Sequence, residues 1–329
     1  MRYCIWEMKQ LSHQQLDALS SSINAAACVT PGVSTYCSGA DWFIASSGEL
    51  MPSNDFYLSE DSNHYVILTR DKHDQVGPYL RSLEVDWGFT SPLLGEDPRI
   101  SIELLYHTLV ELKGWNCVFL GGLSSDAMQL AGIMLSEEFQ VESKEGTHCQ
   151  VGSLSGGVDG FLGRRTSNFR SNLVRARRKA KLAGLQFDHF QADSDCADWY
   201  QRVQSIESKT WKSDQGKSIF SNPRYNAFYW KTMERAAHDE RMRSVIATID
   251  GVDVGYILGA VLGSSYRGFQ IGYAQQVEEL SVGNLCQIAQ IETLCDEGIT
   301  EYDLGMIMDY KSRWGETQLK LYHLMIYRR

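Results

Sequence analysis

Three acids and a tyrosine in the second half of this chain have the side chains to move protons: Glu207, Asp303, Asp309 and Tyr310. A carboxylate can take a proton and a phenol can give one. Nearby in sequence lies Ser281-Val282-Gly283-Asn284-Leu285, a serine–glycine loop at the head of a helical pattern. The start of a helix offers unpaired N–H groups and the positive end of its dipole, which together hold an anion without any lysine. Gly283 permits close backbone approach, and Ser281 and Asn284 add capping or phosphate hydrogen bonds. Each acid is equally suited to a structural ion pair or a cap. No covalent nucleophile is indicated. Cys286 lies on the first turn of the helix, where a thiol is activated, but a buried helix position suits it better. The eight cysteines are scattered, with no C-x-x-C pair and no zinc-like spacing, so we expect reduced thiols and no metal.

The elements around the loop read as a strand meander followed by a helix and a strand. Arg243–Ile249, Val252–Leu262 and Tyr266–Tyr273 are strand patterns, with Asp250-Gly251 as a hairpin turn. A helix follows from about Leu285 to Glu297 and stops at Gly298. A short strand, Glu301–Leu304, ends at Gly305, ahead of Asp309-Tyr310-Lys311. Where two such strands splay, their unpaired amides and a helix starting in the gap address one spot. Upstream, Ser194–Lys212 and Pro223–His238 read as helices and Leu185–Gln191 as a strand.

Arg164–Lys181 carries 8 Lys and Arg and no acid. Thr166 or Ser167 caps a helix in which Phe169, Leu173, Ala176 and Ala180 form one apolar stripe. Its charges suit a solvated face, a cationic wall for a nucleotide, phosphopantetheine or an acidic carrier protein, or an RNA contact. The absence of interleaved aromatic residues weakens the RNA reading.

In the first half, Ser12–Ala27 reads as a helix, then mostly loop as far as Asn63, anchored by Trp42-Phe43. His64–Thr69 is a strand, Ser101–Lys113 a helix ended by Gly114, Asn116–Leu120 a strand and Ser125–Leu135 a helix. Phe139–Ser143 and His148–Val151 read as a pair of strands. Gly152–Gly160, rich in Gly and Ser, is the best linker, so we expect domains 1–155 and 156–329. With 329 residues, 43% hydrophobic and 22% charged, the chain is of ordinary globular composition. The net charge of −10 argues against general nucleic-acid binding. Residues 1–155 hold 8 Lys and Arg against 20 Asp and Glu; residues 156–329 hold 23 against 21, a better setting for an anion. Met1–Glu7 lacks an apolar signal region and no run is long enough to span a membrane, so a cytoplasmic protein is expected.

Four segments in order resemble one family: the Phe169-Arg170-Ser171-Asn172-Leu173 helix, Glu207 through Trp211-Lys212, Ser281-x-Gly283-Asn284-Leu285, and Tyr302-Asp303-Leu304-Gly305 followed by Asp309-Tyr310-Lys311-x-x-Trp314. Over about residues 160–316 the chain resembles the GCN5-related N-acetyltransferase (GNAT) superfamily. Within it, the match is to the BioF2-like/CelD-like branch related to the FemABX peptidyltransferases. Val282 stands where the family often has proline.

The resemblance implies an α/β (α+β) fold of tandem GNAT-like domains, with mixed, mostly antiparallel sheets flanked by helices and a degenerate first copy. It implies an acyltransferase moving an acyl group, acetyl to fatty acyl, from acyl-CoA or an acyl-carrier-protein phosphopantetheine to an amine. Ser281, Val282, Gly283, Asn284 and Leu285, with Arg170 and Arg177, would hold the carrier. Asp303 is the favoured base, Glu207 the next, and Tyr310 the acid, with His323 a weaker one. Lys212 and Lys311 would orient an acceptor carboxylate, and Trp211 and Trp314 would wall the acceptor pocket. Ile257, Leu258, Val261 and Ile271 would admit an alkyl chain. Two alternatives stand beside this reading: a Fem-like transferase fed by aminoacyl-tRNA, and a catalytically inactive GNAT-fold binding module.

Overall fold

The computed structural model describes residues 7–53 and 55–329. Cys4 and the Met1–Trp6 start, read above as free of a signal region, lie outside the described residues. In chain order come β1 (Glu7–Leu11), α1 (His13–Asp17), α2 (Ser20–Val29), α3 (Ala40–Glu49), β2 (Phe56–Asp61), β3 (His64–His73) and β4 (Gly77–Arg81). Then follow β5 (Leu93–Leu94), α4 (Pro98–Glu111), β6 (Cys117–Leu123), α5 (Ser125–Met134) and β7 (Phe139–Ser153). Next are α6 (Gly157–Gly163), α7 (Ser167–Leu182), β8 (Gln186–His189), α8 (Cys196–Glu207), α9 (Trp211–Asp214) and α10 (Pro223–His238). The last elements are β9 (Met242–Ile249), β10 (Val252–Leu262), β11 (Ser265–Tyr273), α11 (Val282–Asp296), β12 (Glu301–Met306) and β13 (Thr317–Arg328).

The chain packs as two compact units, Met1–Cys149 with Leu319–Arg329, and Gln150–Gln318. Both are mixed α/β, with mostly antiparallel strands flanked by helices. In the first unit the strand order is β1-β2-β3-β4-β6-β13, antiparallel throughout except for β4 beside β6. Its core gathers Val66, Leu68, Leu105, Leu109, Val118 and Leu324. In the second unit the order is β12-β11-β10-β9-β8, antiparallel except for β11 beside β12. Its core gathers Val245, Ile257, Tyr266, Val282, Ile288 and Leu304. Each unit repeats one order: a strand, helices, a three-strand meander, a helix, and a strand parallel to the last of the meander. In the first these are β1, α1–α3, β2–β4, α4 and β6; in the second β8, α8–α10, β9–β11, α11 and β12.

Several expectations are corrected. The stretch expected as loop around Trp42-Phe43 contains α3, in which Ala40 through Ser47 are all buried. A helix enclosed on every side has no apolar stripe to reveal it. The expected Ser12–Ala27 helix breaks at Ala18-Leu19 into α1 and α2. The two strands expected over 139–151 are one, β7, and the expected linker is the end of β7 followed by α6. Ser194–Lys212 is likewise two helices, because the chain turns at Ser208–Thr210 and Thr210 caps α9. Leu319–Arg329, assigned above to the second domain, packs in the first unit. There its alternating Leu321, Leu324 and Ile326 are fully enclosed and β13 pairs with β6. Among the described residues no helix is long and apolar enough to cross a membrane.

Candidate functional site

The second unit opens a fork between β11 and β12. Their parallel ladder has three rungs, Ser265 with Glu301, Tyr266 with Tyr302 and Arg267 with Asp303, and stops there. β11 continues to Tyr273, so its later residues run on past the last rung. At the same point β12 turns at Gly305, whose φ of +79° suits a residue without a Cβ. The fork is pinned by a buried ion pair: Arg267 Nη1 donates to Asp303 Oδ2 at 2.7 Å, and Gly305 N–H donates to Asp303 Oδ1 at 2.8 Å. Both oxygens of Asp303 thus have protein partners.

Beyond β11 a 3₁₀ turn (Gln275–Leu280) leads to Ser281, which is left-handed at φ 57° and ψ 39°. α11 begins at Val282, three residues earlier than expected. Leu285 N–H bonds Ser281 C=O at 3.1 Å, which places the amides of Val282, Gly283 and Asn284 ahead of the helical ladder. The Ser281 side chain does not cap them. Val282 and Leu285 are buried as anchors, Asn284 is exposed, and a Cβ on Gly283 would lie 3.1 Å from the Tyr273 ring. Cys286 is fully buried, and burial pushes its thiol well up, which removes it as a nucleophile.

A cavity of about 610 Å³ opens beside this helix start. Ser281 and Asn284 line one side, Asn168, Phe169 and Asn172 of α7 a second, and Tyr310 and Trp314 a third. Trp314 is buried, edge-on to Phe169 with centroids 5.0 Å apart. Tyr310 is 40% exposed overall, yet desolvation of its phenol raises its pKa, so it is protonated at neutral pH. Arg164 and Arg165 complete the wall and both pair with Glu316, Arg164 Nε at 3.1 Å. Burial and the charge of Arg164 lower the Arg165 pKa to about 10, leaving it a cation at neutral pH.

Other expected residues sit elsewhere. Glu207 is buried against β11 and β10: Ser218 Oγ (2.9 Å) and Lys212 Nζ (3.1 Å) address Oε1, and Tyr256 O–H donates to Oε2 at 2.7 Å. Lys212 also donates to Ile271 C=O at 3.1 Å, which ties the α9 turn, with half-exposed Trp211, to β11. A side chain on Gly272 would come within 2.7 Å of Glu207 Oε2. Lys311 donates to Met306 C=O at 3.0 Å. Arg170 folds back onto Arg165 C=O at 2.5 Å, and Arg177 pairs with Glu292 on α11; neither lines the cavity. His323 belongs to the first unit, stacked on Phe119. Ile257 and Leu258 are 2% and 0% exposed. Missed in the sequence were Arg165, Asn168, Asn172 and Glu316. The first three lie on or beside the basic helix already singled out, but only packing shows which of its sides faces the cavity.

Residues 167–312 match the Acetyltransferase (GNAT) domain family. This part of the chain is a GNAT domain. No curated protein matches the chain in sequence. The whole chain is similar in fold to FemX at 10% identity, with 96% of each chain covered and a TM-score of 0.67. It is also similar to a conserved protein of unknown function from Bacteroides thetaiotaomicron (11% identity, 99% of this chain and 100% of that one, TM-score 0.65). A third similar structure is L-PGS from Bacillus licheniformis (13% identity, 86% of each chain, TM-score 0.56). The GNAT domain contains the fork, the α11 start, the Glu207 cluster and Tyr310. The first unit repeats its order of elements with a different helix start. There Pro98 opens α4, and the Asp97 carboxylate accepts Arg99 N–H at 2.8 Å, so the position already holds an anion.

Proposed function

We propose that the GNAT domain is an N-acyltransferase that uses acyl-CoA, or the phosphopantetheine of an acyl carrier protein, as donor and a small-molecule or peptide amine as acceptor. The observation that carries this is the cavity of about 610 Å³ lined by Ser281 and Asn284 at the α11 start, in the same domain as the β11–β12 fork. The phosphate of the arm (the pyrophosphate of CoA, or the single phosphodiester of a carrier protein) lies against the Val282–Asn284 amides, where charge and dipole agree. The arm runs along the part of β11 that the β12 ladder leaves open. Backbone amides there polarise the thioester carbonyl as charge develops on its oxygen.

The amine attacks that carbonyl, a C–N bond forms and the C–S bond breaks. Tyr310, protonated and in the cavity, gives its proton to the departing thiolate. The proton lost by the amine goes to a carboxylate flanking β11, with Asp303 at one end beside Arg267 and Glu207 at the other beside Gly272. Trp211 and Lys212 are carried at the Glu207 end, where an acceptor would approach.

Thermal melting with CoA, acetyl-CoA and a long-chain acyl-CoA tests this. A ligand at about 100 times its Kd stabilises by about 2.7 kcal/mol. A shift with the thioesters supports the proposal. No shift with any of them, and a shift with aminoacyl-tRNA, would replace it with a Fem-like reaction; silence towards all of these and towards a phosphopantetheinylated acyl carrier protein would make this a binding module.

A further inference from the structure

Helix α7 has two unlike sides. Phe169, Leu173, Ala176 and Ala180 turn inward to the second-unit core. Opposite them are Ser171, Val174, Arg175, Arg178, Lys181 and Leu182, all exposed. At 3.6 residues per turn these six fall along one stripe. Val174 is 67% exposed and Leu182 84%, so two aliphatic side chains stand in water among three cations.

The flanking cations of α7 are already engaged. Arg177 pairs with Glu292 and Lys179 with Glu279, the latter at 2.9 Å. The outward cations differ. Arg175 donates to the neutral Asn172 side chain, and among the described residues no carboxylate pairs with Arg178 or Lys181. The chain as a whole is acidic at −10, yet Arg164–Lys181 contains no acid at all. An acidic partner is repelled by the chain's general charge and drawn to this helix.

We infer that this face docks an acidic acyl carrier protein, which delivers the donor on its phosphopantetheine arm. The inference rests on the acyl-transfer reading above and names the partner for that site. Position supports it: the same helix, through Asn168, Phe169 and Asn172, lines the donor cavity. Arg178 is six residues beyond Asn172, about 9 Å along the axis, within reach of an extended arm. Chemistry narrows the partner. Val174 and Leu182 have apolar surface to bury against a protein and nothing to offer a phosphate backbone. Two such residues on one stripe are too few to seat a helix in a bilayer.

The probe is a purified acidic acyl carrier protein in its phosphopantetheinylated form, titrated calorimetrically at low salt against the full chain. The same cell is titrated with CoA. The variants are Arg178→Glu with Lys181→Glu, and separately Leu182→Ser; all three positions are exposed, and unchanged melting temperatures verify folding. The expected result is carrier binding that weakens about tenfold or more in the charge reversal and at raised salt, with CoA affinity within twofold of wild type. CoA binding without carrier binding overturns the inference and leaves the acyl-transfer reading intact. Equal carrier binding by wild type and the charge reversal overturns it as well. Binding to phosphatidylglycerol vesicles or to tRNA that the charge reversal abolishes, with no carrier binding, replaces the partner. Binding of neither CoA nor the carrier by the wild type removes the acyl-transfer reading and this inference with it.

Discussion

Arg267 and Asp303 face each other across the last rung of the β11–β12 ladder, 2.7 Å from Nη1 to Oδ2, with side chains only 4% and 5% exposed. The pair marks where the two strands part. Asp303→Ala leaves Arg267 charged, buried and without its carboxylate, so we expect a loss of about 3–5 kcal/mol in denaturant unfolding. Adding Arg267→Met restores part of that loss, because removing both charges is milder than removing one. A pH–rate profile of Asp303→Asn and Glu207→Gln then separates support from proton transfer. The variant lacking the base loses kcat at neutral pH and regains it at high pH, where the free amine predominates.

Asn284 is the exposed residue on the first turn of α11 and lines the cavity. Asn284→Asp places a negative charge where the proposal puts a pyrophosphate. Charges interact with a helix terminus by up to about 2 kcal/mol, so CoA affinity should fall about tenfold or more by calorimetry. The melting temperature without ligand should hold or rise, since an acid at this end suits the dipole. An unchanged CoA affinity would move the pyrophosphate elsewhere.

Tyr310→Phe keeps the ring in the cavity and removes the proton. A single acid contributes about 10²–10⁴-fold, and we expect kcat to drop by at least the lower figure with KM nearly unchanged. Acyl donors with more acidic leaving thiols should lose less, because such a thiolate leaves without help. A change in KM alone would make Tyr310 a packing residue.

His323 in the first unit and His189 in the second are both held below the ordinary histidine value of 6.5, in each case chiefly by burial. Lys144 adds to the effect on His323, whereas Asp188 and Glu292 oppose it at His189. A depressed folded pKa means stability that is present above pH 6.5 and lost as pH falls below it through the folded values. Melting temperatures should therefore decline on acidification from about pH 6.5. His323→Gln should flatten that decline, since its ring is half-buried between Phe119 and the backbone at Gly88 and Gly146. A wild-type profile flat from about pH 7 to 5 would contradict this.

The meander, the hairpin at Asp250-Gly251, the helix start near Ser281 and the capped basic helix were readable from local pattern, because each carries a turn residue or a periodic stripe. Asp250 at φ 50° and Gly251 at φ 75° show why that dipeptide signals a hairpin. What pattern could not reveal was enclosure. Helix α3 is buried on all sides and looks like loop, and α8 and α9 look like one helix because Ser208–Thr210 interrupts them without Gly or Pro. Of the candidate site, Ser281, Asn284, Tyr310 and Trp314 were legible as residues that line one cavity. The site was less legible in its charges. Arg170 and Arg177 sit on the right helix but turn away, whereas Arg165 and Glu316, at opposite ends of the second unit's sequence, meet only through the fold.

The α11 start is assigned the phosphate at the head of the donor's pantetheine arm, which is the pyrophosphate when the donor is CoA. Hydrogen–deuterium exchange with and without saturating CoA reads those amides directly. The account predicts slowed exchange at Val282, Gly283 and Asn284, with the α4 start at Pro98–Arg99 unchanged. CoA binding that leaves Val282–Asn284 exchanging at the free rate, or that protects the α4 start instead, would contradict it.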